Sequence, residues 1–471
     1  MTDIPANKAA FTLAEAVGIT GGRALIRDPN VPGNWSGVCT DTRAQLSGSA
    51  YVALSGERFD GHRFALDAWR AGARLLLVER EVEGPVNQLL VPSTRIALGQ
   101  LAKLHRQRWG GRVIAIAGSA GKTSAKSAIG ALLCELLPEQ VHVTPGNLNN
   151  DIGVPMVLFG LTEKHRECVL EIGTNQTGEV PWLASVAVPE VAVLTLIDLE
   201  HTAGLGDIDA IEAEEGAVFQ AAAGFAIGNV DDVRVARQLE RAPLAKLRYG
   251  FGAGADYRAL QLASRGVLGT RLTVGRPSAA ALEFDSPLFG KPGAYAALAA
   301  LAASELVCQR PVTRAEIERA LLRPDARVAG RLAAFEVATG LLVIDDTYNA
   351  NPASMRAAIE TAQALASERQ ARLHLVLGEM RELGAQSPVE HRELGVFAAG
   401  FGAASLVAVA GDARYIADGV SGATFVAEAA QVMTWLGPRL GDNDVVLVKG
   451  SRGVRTEQVV MQLRNEKGTR G

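Results

Sequence analysis

The sequence predicts an α/β protein built as three domains: a small α/β domain over residues 1–110, a central parallel-sheet domain over 111–323 and a Rossmann-like domain over 324–471. Three observations carry this expectation. At 471 residues the chain exceeds what one hydrophobic core ordinarily serves. Apolar runs of strand length alternate with helical patterns along most of it, as in parallel sheets covered by helices. A glycine-rich turn ending in Lys-Thr stands between one such strand and one such helix, which makes the central domain ATPase-like in pattern.

The elements follow in order. From Thr12 a short helix is expected, then strands over YVAL (51–54) and ARLLLVER (73–80) with an amphipathic helix between them around FALDAWRAG (64–72). A helix near Leu98 to Arg108 ends at Trp109-Gly110-Gly111, where the first domain boundary is placed. The central domain alternates strands RVIAIAG (112–118), CVLEIG (168–173), VAVLTLI (191–197) and GFAIGN (224–229) with helical patterns. The stretch Asp256 to Phe284 is expected as an antiparallel insertion, and an Ala-rich helix follows to Cys308. After the break at Arg323-Pro324, the strands LLVIDD, RLHLVLGEM, SLVAVAG and VVLVKGS alternate with helices such as MRAAIETAQALASERQ.

Composition narrows the function classes. With 48% hydrophobic and 21% charged residues the chain reads as globular rather than disordered. A formal net charge of -4 offers no broad attraction for nucleic acid or anionic lipid, so a bound phosphate must be held by local groups. Cys39, Cys134, Cys168 and Cys308 lie far apart and form no CxxC pair, which disfavours a metal or disulfide framework. The N-terminus has no basic region followed by an apolar core, and the run Ala294 to Ala303 is too short to span a bilayer. A cytoplasmic protein without membrane insertion is expected, and a monomer.

The strongest local signal is Gly118-Ser119-Ala120-Gly121-Lys122-Thr123, followed by Ser124 and a helix. Glycines let backbone N–H groups approach phosphate, Lys122 neutralises its charge, and the Thr123 hydroxyl suits magnesium. The loop is shorter than the common P-loop, because Ile116 stands where GxxxxGK[ST] needs its first glycine.

This shortened loop resembles that of the Mur ligases and folylpolyglutamate synthetases, and further strings decide between them. The run Thr144 to Pro155 (TPGNLNNDIGVP), Glu171-Ile172-Gly173 with Gly178-Glu179, Asp345 to Pro352 (DDTYNANP), Gly378 to Gly384 (GEMRELG) and Lys449-Gly450-Ser451-Arg452 resemble, in order, the Mur ligase family. The resemblance is to its members that attach D-alanyl-D-alanine, and it spans all three domains.

The resemblance implies an ATP-dependent, ADP-forming amide ligase of peptidoglycan precursor synthesis that joins D-alanyl-D-alanine to UDP-N-acetylmuramoyl-tripeptide through an acyl phosphate, using ATP and Mg2+. Domain 1–110 would bind the UDP-precursor, 111–323 ATP, and 324–471 would complete the ligase site. Residues 118–124 would hold the ATP phosphates, with Lys122 and His201 catalytic and Thr123, Glu171 and His201 as magnesium ligands. Arg331 would reach ATP from the C-terminal domain, and Asp346 would suit ribose hydroxyls. Thr40-Asp41-Thr42-Arg43, followed by Phe59-Asp60-Gly61-His62, resembles the uridine-nucleotide module. Asn147, Asn149 and Asn150 would offer amides to sugar or nucleotide hydroxyls, and Asn349, Asn351, Lys449, Ser451 and Arg452 would meet the incoming dipeptide.

The chain departs from the family pattern at two places. Glu215 stands where Mur ligases carry a lysine carbamylated by carbon dioxide, supplying a catalytic carboxylate directly but on a shorter arm, with Glu212 expected on the same helical face. Pro292, Gly293 and Ala296 occupy the positions of a His-Asn pair and a further Asn near adenine, and Thr195 replaces another Asn. Two other readings accommodate these departures: a paralogue ligating a different carboxylate and amine, or a nucleotide-binding homologue with weak catalysis.

Overall fold

The computed structural model describes residues 6–44, 46–56, 59–277 and 279–467. Among the described residues, three sheets of five or more strands occupy successive stretches of the chain, beside two small two-stranded ones. The first has five strands in the order Arg23–Leu25, Gln88–Leu90, Leu75–Val78, Ala50–Val52 and Val38–Cys39, parallel except at the Arg23–Leu25 edge. Its central strand Leu75–Val78 is apolar throughout because both faces are covered. Helix Leu13–Thr20 begins where Thr12 and Glu15 exchange cap hydrogen bonds and ends at Gly21, whose φ of 64° admits the left-handed turn.

Helix Thr94–Trp109 fastens this domain to the next. One apolar core runs from Trp35, Val52 and Leu77 through Leu98 and Leu101 of the helix to Val113 and Leu170. Arg106 is buried on the same helix and donates to the Ala187 carbonyl at 2.9 Å and to Glu190 at 2.7 Å. Arg95 pairs with Asp151 at 2.6 Å.

The central sheet has nine strands. Val141–Val143, Glu167–Glu171, Arg112–Ala117, Val191–Leu194, Phe225–Asn229 and Ala245–Gly250 run parallel in that spatial order. The stretch expected as an insertion is not a separate unit. Tyr257–Ser264 pairs in parallel with Ala245–Gly250, and the antiparallel strands Thr270–Arg276 and Ala279–Ser286 extend the same sheet. Helix Lys122–Leu136 lies against helix Gly290–Cys308, whose alanines permit close approach of the two backbones, and both cover one sheet face.

The C-terminal sheet runs Ala333–Glu336, Leu342–Asp346, Val445–Lys449, Leu373–Gly378, Ser405–Val409, Thr424–Val426, antiparallel only at its first pair. Its two edge strands are short and half-exposed, so neither carries the apolar run that marks the four central ones. Register sets Asp346 beside Lys449 at the C-terminal ends of neighbouring strands. Those ends face the phosphate loop of the central domain across a shared cavity, where ligands bind in open α/β sheets. Among the described residues, no helix is long and apolar enough to cross a membrane.

Candidate active site

A cavity of about 390 Å³ lies between the central and C-terminal domains. The phosphate loop forms one wall, and Arg331, Asp346, Tyr348 and Lys449 form the opposite one. Gly118 has φ 125°, and a Cβ there would stand 2.3 Å from the Thr195 hydroxyl, so only glycine fits. That hydroxyl faces the carbonyls of Ala117 at 3.1 Å and Ala120 at 2.6 Å. Thr195 therefore knits the loop from below. The Ser119 hydroxyl is buried without a hydrogen-bond partner, as expected of a group awaiting a ligand.

Lys122 begins the helix and sits among carboxylates. Its ammonium contacts the Gly118 carbonyl, Glu200 at 3.1 Å and Glu215 at 3.9 Å. Burial alone would lower its pKa, but Glu200, Glu215 and Glu171 outweigh burial and raise it. Glu215 has no solvent exposure; one oxygen accepts the Gly118 N–H at 2.7 Å, while the other has no hydrogen bond. Burial pushes its pKa up to about 7 against the pull of Lys122. Glu215 thus braces the phosphate loop from behind. Glu212, expected beside it, instead pairs with Arg237 and Gln238, each at 2.8 Å, and serves packing between helices.

The Thr123 hydroxyl donates to the Glu171 carboxylate at 3.2 Å. Asn149 donates to the same Glu171 oxygen at 2.9 Å, and Lys126 lies 3.2 Å from the other. A hydroxyl and a buried carboxylate at one cavity wall fit magnesium, which takes few protein oxygens and completes its shell with phosphate and water. His201 lines the cavity but does not join this pair. Its Nδ1 lies 2.7 Å from Glu382 of the C-terminal domain, and its backbone takes φ 49°. Burial lowers the imidazole pKa, but Glu382 and Glu200 outweigh it and raise the pKa. Among the described residues, no three His, Cys, Asp or Glu side chains form a metal-binding group. His201, the third member of the expected magnesium set with Thr123 and Glu171, is held through its Nδ1 by Glu382 across the domain junction.

Other expected residues fall out as follows. Asn147, Asn149 and Asn150 line the cavity, with Asn150 capping Gly153 at 2.8 Å. Asn351 caps helix Pro352–Glu368 and donates to the Ser119 carbonyl at 3.4 Å, bridging the domains. Both Asp346 oxygens are engaged, one by the Leu332 N–H at 3.1 Å and one by Lys449 at 2.7 Å. Asp346, the carboxylate expected to suit ribose hydroxyls, thus also orders the protein around it. Lys449 is buried and also donates to the Asn349 carbonyl at 2.8 Å. Ser451 accepts the Arg381 N–H at 2.9 Å, and neither Ser451 nor Arg452 lines the cavity. Thr40 to Arg43 lie away from it on the first domain, where Arg43 and Asp41 form a surface ion pair at 2.5 Å. Pro292, Gly293 and Ala296 do line the cavity, together with Phe289 and Tyr295.

Four contacts escaped sequence reasoning: Lys126, Glu200, Glu382 and Tyr348. Lys126 was legible, one helical turn after Lys122 and so on the same face. The others act across chain separations that no local pattern reports.

The model of the Mur ligase middle domain matches residues 116–304, and that of the Mur ligase glutamate ligase domain matches residues 330–452. The UDP-N-acetylmuramoyl-tripeptide--D-alanyl-D-alanine ligase of Escherichia coli is 35% identical over 92% of this chain and 94% of its own. The chain belongs to the Mur ligase family. A crystal structure of MurF from Acinetobacter baumannii aligns with this Mur ligase at TM-score 0.86 and 30% identity, covering 98% of this chain and 100% of that one. The MurF ligase from Thermotoga maritima, solved in complex with ADP, aligns at TM-score 0.81 and 26% identity over 91% and 97%. The α/β class expected from the sequence, with its parallel-sheet central domain and C-terminal domain, thus matches the MurF structures.

Proposed function

We propose that this Mur ligase joins D-alanyl-D-alanine to UDP-N-acetylmuramoyl-tripeptide with ATP, releasing ADP and phosphate, in cytoplasmic synthesis of the peptidoglycan precursor. The peptide carboxylate attacks the γ-phosphorus and ADP leaves; the dipeptide amine then attacks the acyl carbon, phosphate leaves, and the amine gives up a proton. The observation that carries this reading is the cavity itself, with Lys122 on one domain and Arg331 on the other. Cations on both walls suit a polyphosphate held between domains.

Lys122 neutralises the transferring phosphoryl group, and the N–H groups of the loop at the start of helix Lys122–Leu136 cradle it. Thr123 and Glu171 hold Mg2+, which supplies charge neutralisation at the phosphates when bound. Glu215 keeps the loop and Lys122 in place without carbon dioxide. The junction made by His201 with Glu382 and by Asn351 with Ser119 excludes water from the acyl phosphate. The base lies at the Phe289 to Ala296 end, against apolar surface. Thr40 to Arg43 serve the uridine diphosphate, and Asn349, Ser451 and Arg452 the dipeptide.

The test is phosphate release from ATP and Mg2+ by the purified protein, screened over UDP-muramoyl peptides and amine donors. Release that requires both UDP-N-acetylmuramoyl-tripeptide and D-alanyl-D-alanine supports the reading. Release with another pair redirects it to a paralogous ligation.

A further inference from the structure

We propose that Tyr348 is a positioning residue for phosphoryl transfer: its ring carries the Arg331 guanidinium and aims it into the nucleotide cavity. This rests on reading that cavity as the ATP site. The Arg331 Cζ lies 4.4 Å from the Tyr348 ring centroid and the Arg452 Cζ 5.6 Å, both within the range of cation–π attraction.

Of the other cations lining this cavity, Lys291 is exposed to solvent, and the other two lysines are already neutralised. Lys122 faces Glu200, and Lys449 faces Asp346. Among the described residues, neither Arg331 nor Arg452 has an ion pair, and the Arg331 Nε is buried with no hydrogen-bond partner. Two guanidiniums gathered on one ring repel each other, and an unsatisfied buried donor costs free energy. Both costs are relieved when an anion arrives. A ring face is the tether that permits this. A carboxylate would consume N–H donors and cancel charge, whereas a π face holds the guanidinium and leaves its donors for phosphate oxygens.

Tyr348 also fixes the backbone that presents Arg331. Gly330 and Leu332, on either side of Arg331, take φ of 72° and 48°. The Tyr348 N–H donates to the Gly330 carbonyl at 2.9 Å, and Asp346, held by Lys449, accepts the Leu332 N–H at 3.1 Å. The backbone of the Asp346–Tyr348 segment thus sets the turn, and the Tyr348 ring sets the side chain.

The experiment measures ATP affinity in the presence of Mg2+ by titration calorimetry on the full chain. Its variants are Tyr348→Leu, Tyr348→Phe, Arg331→Ala and the double variant Arg331→Ala/Tyr348→Leu. Tyr348→Leu should weaken ATP binding by about tenfold, and Tyr348→Phe, which keeps the ring, should recover most of the affinity. In the Arg331→Ala background, Tyr348→Leu should cost nothing further, a result that a merely structural role would not produce. Equal losses in the Leu and Phe variants, or a full Leu effect without Arg331, overturn the proposal. Tyr348→Met replaces Leu in the same comparison if the Leu variant folds poorly. Phosphate release with UDP-N-acetylmuramoyl-tripeptide and D-alanyl-D-alanine is measured on the wild type in parallel. Its absence would sink the functional reading while the binding series still decides the role of Tyr348.

Discussion

The Glu215 carboxylate holds the Gly118 N–H at 2.7 Å with one oxygen and stands 3.9 Å from the Lys122 ammonium with the other. A helix of the central domain thereby supplies a carboxylate directly behind the phosphate loop. Removing carbon dioxide and bicarbonate from the assay should leave ligase activity unchanged. Glu215→Gln, which keeps shape but loses charge, should lower activity by about 10- to 100-fold. A drop in wild-type rate on bicarbonate depletion, reversed on adding it back, would refute this use of Glu215.

The same carboxylate gives a pH signature. Burial pushes Glu215 and Glu167 up to about 7 from 4.5, so the folded protein holds protons that the unfolded chain has released. Their contribution to stability is therefore greatest below 4.5 and is lost as pH rises towards 7. Urea midpoints should fall between about pH 5 and pH 8, and Glu215→Gln should flatten that fall. An identical pH slope in the variant would show that Glu215 is not the group responsible.

Lys122→Met should separate catalysis from folding. The substitution leaves Glu200 and Glu215 buried without their shared cation, a loss of about 3–5 kcal/mol in stability at neutral pH. Activity should fall by about 10³-fold. Adding Glu215→Gln to Lys122→Met should return part of the stability and none of the activity, as read from urea melts and phosphate release.

Glu382 reaches His201 at 2.7 Å, and its carbonyl accepts the Thr202 N–H at 2.9 Å. Glu382→Ala removes the side-chain half of this junction. Domain closure should weaken, so kcat should drop and KM for ATP should rise, each by about threefold to tenfold, with little change in melting temperature. Small-angle scattering of the variant should show a larger radius of gyration with nucleotide bound. Unchanged scattering and kinetics would mean that the contact plays no part in closure.

Thr123 and Glu171 should set the magnesium requirement. Thr123→Val keeps the shape of the side chain and removes its oxygen, so half-maximal activity should need about tenfold more Mg2+. A magnesium titration reads this directly; a curve matching the wild type would move the metal away from Thr123.

Much of the site was legible because its chemistry is local. The phosphate loop needs glycines, a lysine and a hydroxyl within six residues, between a strand and a helix, and the structure builds that order. The edge strands Ala333–Glu336 and Thr424–Val426 were not legible, since short half-exposed strands lack an apolar run. The Asp256 to Phe284 hairpins were readable as antiparallel, but their continuity with the central sheet depends on the two-residue pairing of Tyr257 and Arg258 with Tyr249 and Gly250.

Sequence alone determined the α/β class and marked the glycine-rich loop between strand Arg112–Ala117 and helix Lys122–Leu136, because periodicity and motif spacing record what each segment buries or presents. Only the tertiary structure decided the partners of charged groups. Glu215 turned to Gly118 while Glu212 turned to Arg237, His201 turned to Glu382, and Asp346 was taken by Lys449. The physical reason is that a buried charge must find a counter-charge or a donor wherever packing brings one. Helix packing and domain docking set those distances, and neither is written in the spacing of residues along the chain.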